Sequence, residues 1–286
     1  MKVVDLFCGI GGWTEGARAA GHEPWLAVDC DAAALKAHGE NHPGCQQLCR
    51  CLPDDDLPWP AEDEAWHLHA SPPCQKLSQC NRRGSSRRER EAACALIEWV
   101  LDTVARRRPT TWSFEQVASR HVVDILRRRQ AEQPSLFAFA VVNCGDYGVP
   151  QDRRRLLAGS PRSLSAFLLQ TVHPRQTVRQ ALACPTEWIM NHTSNTPDRQ
   201  RGGWRPLRPE EHMRHVDRPA YTVTTRALMW VDGDGTLLRR LTPREAALLQ
   251  TFPPSYHLGR AVTEQRVHVG NAVPVEVARR FMLPAA

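Results

Sequence analysis

Val3-Val4-Asp5-Leu6-Phe7-Cys8-Gly9-Ile10-Gly11-Gly12 stands at the head of the chain. Its first half, mostly apolar, suits a short buried strand. The glycines that follow suit a tight turn whose backbone N–H groups can face a ligand. Outward from this stretch the same alternation continues. Trp13 to Ala20 has a helical pattern that ends with Gly21 in the C′ position. Trp25-Leu26-Ala27-Val28-Asp29 reads as a second strand, and Asp31 as the cap of a helix to about His38. A further strand ends near His69-Ala70. Glu89 to Arg106 is amphipathic, with Ala92, Leu96, Val100 and Val104 near one face. Thr111 to Phe114 is strand-like, Ser119 to Arg129 helical, and Phe137 to Asn143 and Leu156 to Ala158 complete the strands. Strands alternating with helices predict an α/β fold with a doubly wound, mostly parallel sheet.

The alternation dissolves after Gly159. Residues 160–240 are rich in Pro, Thr, His, Arg and Trp, and predict a small irregular lobe with strands at Ala220 to Thr225 and Leu228 to Val231. Thr242-Pro243-Arg244-Glu245 then announces a helix, with a cap, a proline at N1 and a capping-box acid. Three segments follow: 1–159 as the main domain, 160–240 as the lobe, and 241–286 returning to the main domain.

The chain has 286 residues, 42% hydrophobic and 24% charged, as expected of a globular protein. No apolar run is long enough to span a membrane, and no secretory signal is visible. Ten cysteines in that setting predict free thiols and a reducing cytoplasm. Cys45, Cys49 and Cys51 near His42 match no common zinc spacing, so no metal is expected. The net charge is +6, and all but three of the 37 cations are arginine (lysine stands only at 2, 36 and 76). Arginine forks onto phosphates and base edges, which suits nucleic acid, although a GC-rich genome gives the same bias.

Four groups of residues suggest chemistry. Gly9-x-Gly11-Gly12 lacks the full dinucleotide fingerprint and also suits a turn without a ligand, but Asp29 ends strand two where an acid holds ribose hydroxyls. Cys74 follows Pro72-Pro73, a stiff shelf at a strand end, with Arg82 to Arg90 beyond it as a low-complexity basic loop. A buried cysteine is more often an inert small hydrophobe; a thiol on the ligand-bearing rim of a sheet is a candidate nucleophile. Glu115 ends the next strand, where it either hydrogen-bonds a ring nitrogen or caps the helix that follows. Arg153 and Arg155 alternate on a strand and share a face, as a clamp for a carbonyl or phosphate or as a solvated basic edge.

In order and spacing these segments resemble the DNA (cytosine-5)-methyltransferase family. Asp5 to Gly12 resembles its cofactor motif, Pro73-Cys74-Gln75 its Pro-Cys-Gln motif, and Gln151 to Arg155 its Gln-x-Arg-x-Arg motif. Arg240 to Glu245 with Leu249-Gln250-Thr251-Phe252-Pro253 resembles its penultimate motif, and Gly270-Asn271-Ala272-Val273-Pro274 its last. The resemblance implies a Rossmann-like methyltransferase fold, S-adenosyl-L-methionine as cofactor and a cytosine flipped out of double-stranded DNA as substrate. It implies that Cys74 adds to the ring, Glu115 stabilises charge at N3, Arg155 holds the ring oxygen, and Arg153 supports Glu115. Phe7, Gly9, Ile10, Gly11, Asp29, Pro73, Asn271 and Val273 fall where the family contacts the cofactor. Residues 76–91 are expected to close over DNA, with Ser78, Arg82 and Arg83 meeting it. The lobe is expected to read the target through the loop Asp198 to Arg205, with Arg201 and Trp204, unless that loop is only a solvated connector; Thr224 is expected at the DNA backbone. Two departures stand out. Gln116 replaces the asparagine of the family's Glu-Asn-Val, and Gln46 to Arg50 offers no acid for the adenine amine. The expected protein is a monomeric bacterial or phage modification enzyme, alone or with a cognate restriction endonuclease. The rivals are an RNA-directed member of the family and a non-catalytic DNA-binding homologue.

Overall fold

The computed structural model describes residues 1–74, 77, 85–191, 196–198, 203–205 and 212–283. Seven strands form the main sheet: β1 (Lys2–Leu6), β2 (Glu23–Asp29), β3 (Gln46–Cys49), β4 (Trp66–Ala70), β5 (Thr111–Gln116), β6 (Ala138–Asn143) and β7 (Arg154–Gly159). Their order is β3-β2-β1-β4-β5-β7-β6, parallel except for β7, which runs against both of its neighbours. The chain winds outward from β1 in one direction and from β4 in the other, so the carboxyl ends of these two strands form the crevice where such sheets hold ligands.

Helices cover both faces because the strands are apolar on both. On one face α3 (Arg87–Arg107) and α4 (Arg120–Glu132) bury Ile97, Leu101, Val104, Val122 and Leu126 against Leu68, Trp112 and Phe114. On the other, α1 (Gly12–Ala19), α5 (Pro161–Leu168) and the C-terminal helix Val275–Met282 enclose Trp13, Leu157, Phe167 and Phe281, so α5, expected within the lobe, belongs instead to the main domain because Leu164 and Phe167 bury against its sheet. The α1 helix and the C-terminal helix touch at Gly16, where an added Cβ would lie 2.4 Å from the Val275 carbonyl. The expected cap at Asp31 is present: its carboxylate accepts from the N–H groups of Ala33 and Ala34 at the head of α2 (Ala32–Asn41).

The α3 helix starts two residues before its expected limit. Ser86 and Glu89 form a reciprocal capping box inside the basic run that reads as a loop, so residues 87–91 are helical. The lobe contains a four-stranded sheet, β11-β8-β12-β13, built from β8 (Trp188–Met190), β11 (Met213–His215), β12 (Met229–Val231) and β13 (Leu237–Arg240). A separate two-stranded ribbon joins β9 (Thr196–Asp198) and β10 (Gly203–Arg205). The strand expected at Ala220 to Thr225 is not formed. The segment makes one bridge, Gln151 to Ala220, and otherwise lies as an extended strap whose backbone groups are taken by side chains of the main domain. The helix expected after Thr242 is there (Pro243–Leu249), with the capping box between Thr242 and Glu245 complete.

Candidate active site

Register brings the chemistry to one rim. β1 and β4 pair from Lys2 with Trp66 to Leu6 with Ala70, and β4 pairs with β5 up to Ala70 with Phe114. The three strands therefore end level. They deliver the glycine turn, the Pro72-Pro73-Cys74 shelf and Glu115 side by side. β7 arrives from the opposite direction, and Arg155 near its start meets Glu115, with Nε 2.8 Å from Oε1. Glu115 is 8% exposed, so this ion pair lies largely out of water.

Gln116 locks the rim. Its side-chain amide N–H donates to the Pro72 carbonyl at 2.8 Å, and its Oε1 accepts from the Val117 N–H at 2.8 Å. It is fully buried. The longer side chain thus ties the cysteine shelf to the strand that carries Glu115. The Cys74 thiol is half-buried, and its pKa is raised by burial first and by the Glu115 charge second, while Arg155 and Arg153 pull it down. In this resting arrangement the sulfur is a thiol at neutral pH, next to an acid whose charge suppresses its ionisation.

Arg153 differs from expectation. It precedes β7, is only 2% exposed, and its guanidinium donates to the carbonyls of Val223 (2.8 Å), Gly270 (3.3 Å) and Ala272 (3.1 Å). It pins the strap and the last motif against the sheet and makes no hydrogen bond to Glu115, so it is a positioning residue. Burial, with Arg155 beside it, brings its pKa down to about 10. Gln151 and Gln250 complete this buried hub. The Gln151 amide donates to Leu249 O and Gln250 Oε1 and accepts from the Val223 N–H, while Gln250 donates to Val269 O and Ala272 O. Neither glutamine stood out in the sequence as functional. Their polarity in motif positions was the available signal.

The glycine turn is strongly bent, with Phe7, Gly9 and Gly11 all at positive φ. The Gly9 N–H donates to Asp29 Oδ2 at 2.8 Å, and Asp29 Oδ1 accepts from the Asp31 N–H. An added Cβ at Gly9 would meet nothing within 4 Å, so the turn is open on its outer side. A carboxylate has about four lone-pair positions, so Asp29 retains acceptors for ribose hydroxyls. These features fit a nucleoside cofactor. Ile10 departs from expectation: its side chain is 1% exposed and packs into the core, so only its backbone can face a ligand. Val273 is likewise buried, whereas Pro73 and Asn271 are exposed at the rim. Thr224 is exposed, and its backbone rests on Gly270, where a Cβ would lie 2.3 Å from it. At the end of β3, Cys49 lies level with Asp29, and no acid stands there; Asp54 is paired with Arg50 at 2.7 Å. Ser78, Arg82, Arg83 and Arg201 lie outside the described residues, as does the side chain of Trp204.

A doubly wound sheet whose switch point joins an open glycine turn to a thiol, a carboxylate and a guanidinium defines a Rossmann-like group-transfer enzyme. The C-5 cytosine-specific DNA methylase model matches residues 1–176 and 170–283. The chain belongs to that family and is a DNA (cytosine-5)-methyltransferase. The Type II methyltransferase M.HgiDI of Herpetosiphon aurantiacus is 28% identical over 97% of this chain and 92% of its own length. M.HindV of Haemophilus influenzae, also a Type II methyltransferase, is 26% identical over 98% and 94%. In fold the chain is similar to an E. coli prophage-encoded protein described as a DNA modification methyltransferase (TM-score 0.64, 19% identity, 99% and 97% covered). It is also similar to the S. pombe Dnmt2 methyltransferase (TM-score 0.61, 16% identity, 98% and 96% covered). Among the described residues no helix is long and apolar enough to cross a membrane.

Proposed function

We propose that the chain methylates carbon 5 of a cytosine turned out of double-stranded DNA, through a covalent adduct on Cys74. The observation that carries this reading is the joined rim: thiol, Glu115–Arg155 pair and glycine turn on adjacent strand ends, held by the Gln116–Pro72 bond. Bound at the open turn, with Asp29 toward the ribose, S-adenosyl-L-methionine supplies an electrophilic methyl group. Phe7, Gly9, the Ile10 and Gly11 backbone, Pro73 and Asn271 would border it. Cys74 gives up its proton and adds as thiolate to carbon 6 of the ring, Glu115 takes up a proton and donates it to N3, and Arg155 holds the ring oxygen and keeps Glu115 in place. Once Glu115 carries that proton its charge no longer raises the thiol pKa, so the nucleophile ionises when the target cytosine is in place. Carbon 5 takes the methyl group, loses its proton to a base, and Cys74 leaves carbon 6, which restores the aromatic ring.

Residues 160–240, apart from the α5 helix that packs on the main sheet, act in this reading as the target-recognition lobe between residues 1–159 and 241–286, with Thr224 toward the DNA backbone. The enzyme works as a monomer in a bacterial or phage modification system, with or without a cognate endonuclease. The names of its Type II relatives support that setting. A transfer assay with labelled methyl donor, run in parallel on duplex DNA and folded tRNA, tests the reading. Label is expected in DNA cytosine, and C74S should bind DNA without transferring methyl or being trapped on 5-fluorocytosine DNA. Methylation of tRNA alone, or trapping that survives C74S, overturns it.

A further inference from the structure

Beneath the glycine turn lies a buried polar cluster that the chemistry above does not use. Tyr256, 4% exposed and 246 residues from Ile10, donates its hydroxyl proton to the Ile10 carbonyl at 2.5 Å and lies 3.4 Å from the Gly11 carbonyl. A phenol has one proton to give. His42 Nε2, 3.1 Å from the same oxygen, must therefore be the donor in that contact. Glu15 stands 3.9 Å from His42 and takes both prongs of Arg18, at 2.8 and 2.7 Å. Alongside, His38 Nε2 meets Thr14 Oγ1 at 3.1 Å, and Thr14 donates to Asp5 at 2.7 Å. His38, His42, Thr14, Glu15 and Asp5 are all buried.

Geometry aims this cluster at the turn. A Cβ added at Gly11 would come 2.7 Å from His38 Cδ2 and 2.8 Å from the Tyr256 hydroxyl, so the turn is seated directly on those two rings. Phe7, at the head of the same turn, is left-handed without being glycine (φ 61°), and such backbone persists only where its surroundings hold it. The hydroxyl holds it from below, turning the Ile10 carbonyl inward and leaving the outer side open.

We infer that Tyr256, oriented by His42, is a positioning residue that prebuilds the cofactor turn. The inference rests on the turn being the S-adenosylmethionine site. Burial pushes His42 down to about 4 and His38 to about 3, so both rings are neutral near pH 7 and the hydrogen-bond directions are fixed. Tyr256 is supplied by the chain after helix Pro243–Leu249, and packs in one cluster with lobe residues such as Val216, Leu228 and Trp230. Cofactor affinity is thereby tied to the seating of the C-terminal segment.

The test is calorimetric titration of S-adenosylhomocysteine into wild type, Tyr256→Phe, His42→Gln and His42→Phe, alongside kcat and KM. One lost hydrogen bond corresponds to roughly tenfold weaker binding. Tyr256→Phe and His42→Phe should show that loss and a matching rise in KM, with kcat at saturating cofactor within about twofold of wild type. His42→Gln keeps an N–H donor and should recover most of the affinity. Unchanged affinity in both phenylalanine variants overturns the inference, as does a fall in kcat with KM unaltered. If wild type itself fails to bind S-adenosylhomocysteine, the assignment of the turn fails and the inference with it.

Discussion

Glu115 is held between two partners that need opposite things from it. Arg155 forms an ion pair with it at 2.8 Å, while Cys74 is kept protonated by burial and, after that, by the Glu115 charge. Replacing Glu115 by Gln removes the second cause and leaves the first. Cys74 in E115Q should therefore ionise at lower pH than in wild type, and iodoacetamide should alkylate it faster at pH 7.5. Methyl transfer should nonetheless collapse, because no acid remains for N3. An alkylation profile that does not move would show that the two groups are not coupled. Gln116 acts one bond further back. Gln116→Leu removes the tie to Pro72 and lets the cysteine shelf drift from β5. An ångström of displacement costs about a hundredfold in rate. We expect a loss on that scale in kcat with S-adenosylhomocysteine affinity retained, and equal losses in both would mean general unfolding. The shared rim of Cys74 and Glu115 was legible in the sequence because both stand at carboxyl ends of parallel strands, whereas Arg155 reaches them only because β7 runs the other way, which the alternation of strands and helices does not reveal. Ile10 and Arg153 were not legible either. Which way a side chain leaves a turn, or the residue before a strand, depends on partners such as Val223 and Gly270 that are far along the chain.

The α1 helix shows two rules in conflict, with magnitudes to decide between them. Helix propensity favours Gly16→Ala by about 1 kcal/mol. The added methyl would lie 2.4 Å from the Val275 carbonyl and 2.5 Å from the Ala278 Cβ, both in the packed C-terminal helix. Overpacking costs about 1–3 kcal/mol, and here two helix backbones rather than flexible side chains must yield. The clash should win, and G16A should lower the urea midpoint, whereas a stabilised variant would mean that the two helices part easily. Thr242→Ala is the milder element-scale test. It removes one half of a capping box and should cost about 1 kcal/mol in the same assay. The main-sheet elements were readable because period and caps agree within each. The strap from Ala220 to Thr225 misled because its β-rich composition is satisfied by Gln151, Asp152 and Arg153 instead of a neighbouring strand. The start of α3 was hidden by charge: Ser86 to Glu89 is a capping box inside an arginine run that composition assigns to a loop.

The molecule as a whole encloses more histidine than such a sheet needs. His67 and His69 lie in the central strand β4, stacked on Trp13, with Ser113 Oγ 2.8 Å from a nitrogen of each; His38 and His42 lie under the cofactor turn. Burial drives their pKa values down, to about 3 for His67 and His38, about 4 for His42, and well below the usual range for His69. In the unfolded chain each titrates near 6.5. As pH falls below 6.5 the unfolded state takes up protons that the folded state refuses. The stability these rings contribute is thus full above 6.5 and is lost as pH falls toward 4. Each contributes a slope on the order of 1.4 kcal/mol per pH unit once its unfolded form is protonated. Asp5 works the other way. Burial raises it to about 7 from 3.8, so it favours folding at low pH and offsets one histidine over that window. Four against one leaves a clear direction: the urea midpoint should be level from pH 8 to 7 and drop steeply between 6.5 and 5. His69→Phe preserves a ring against Trp13 while removing one titrating group, so its midpoint should fall less steeply over the same interval. A midpoint that stays level down to pH 5 would mean that water or a charge partner reaches these rings, and that the sheet centre is less closed than its packing indicates.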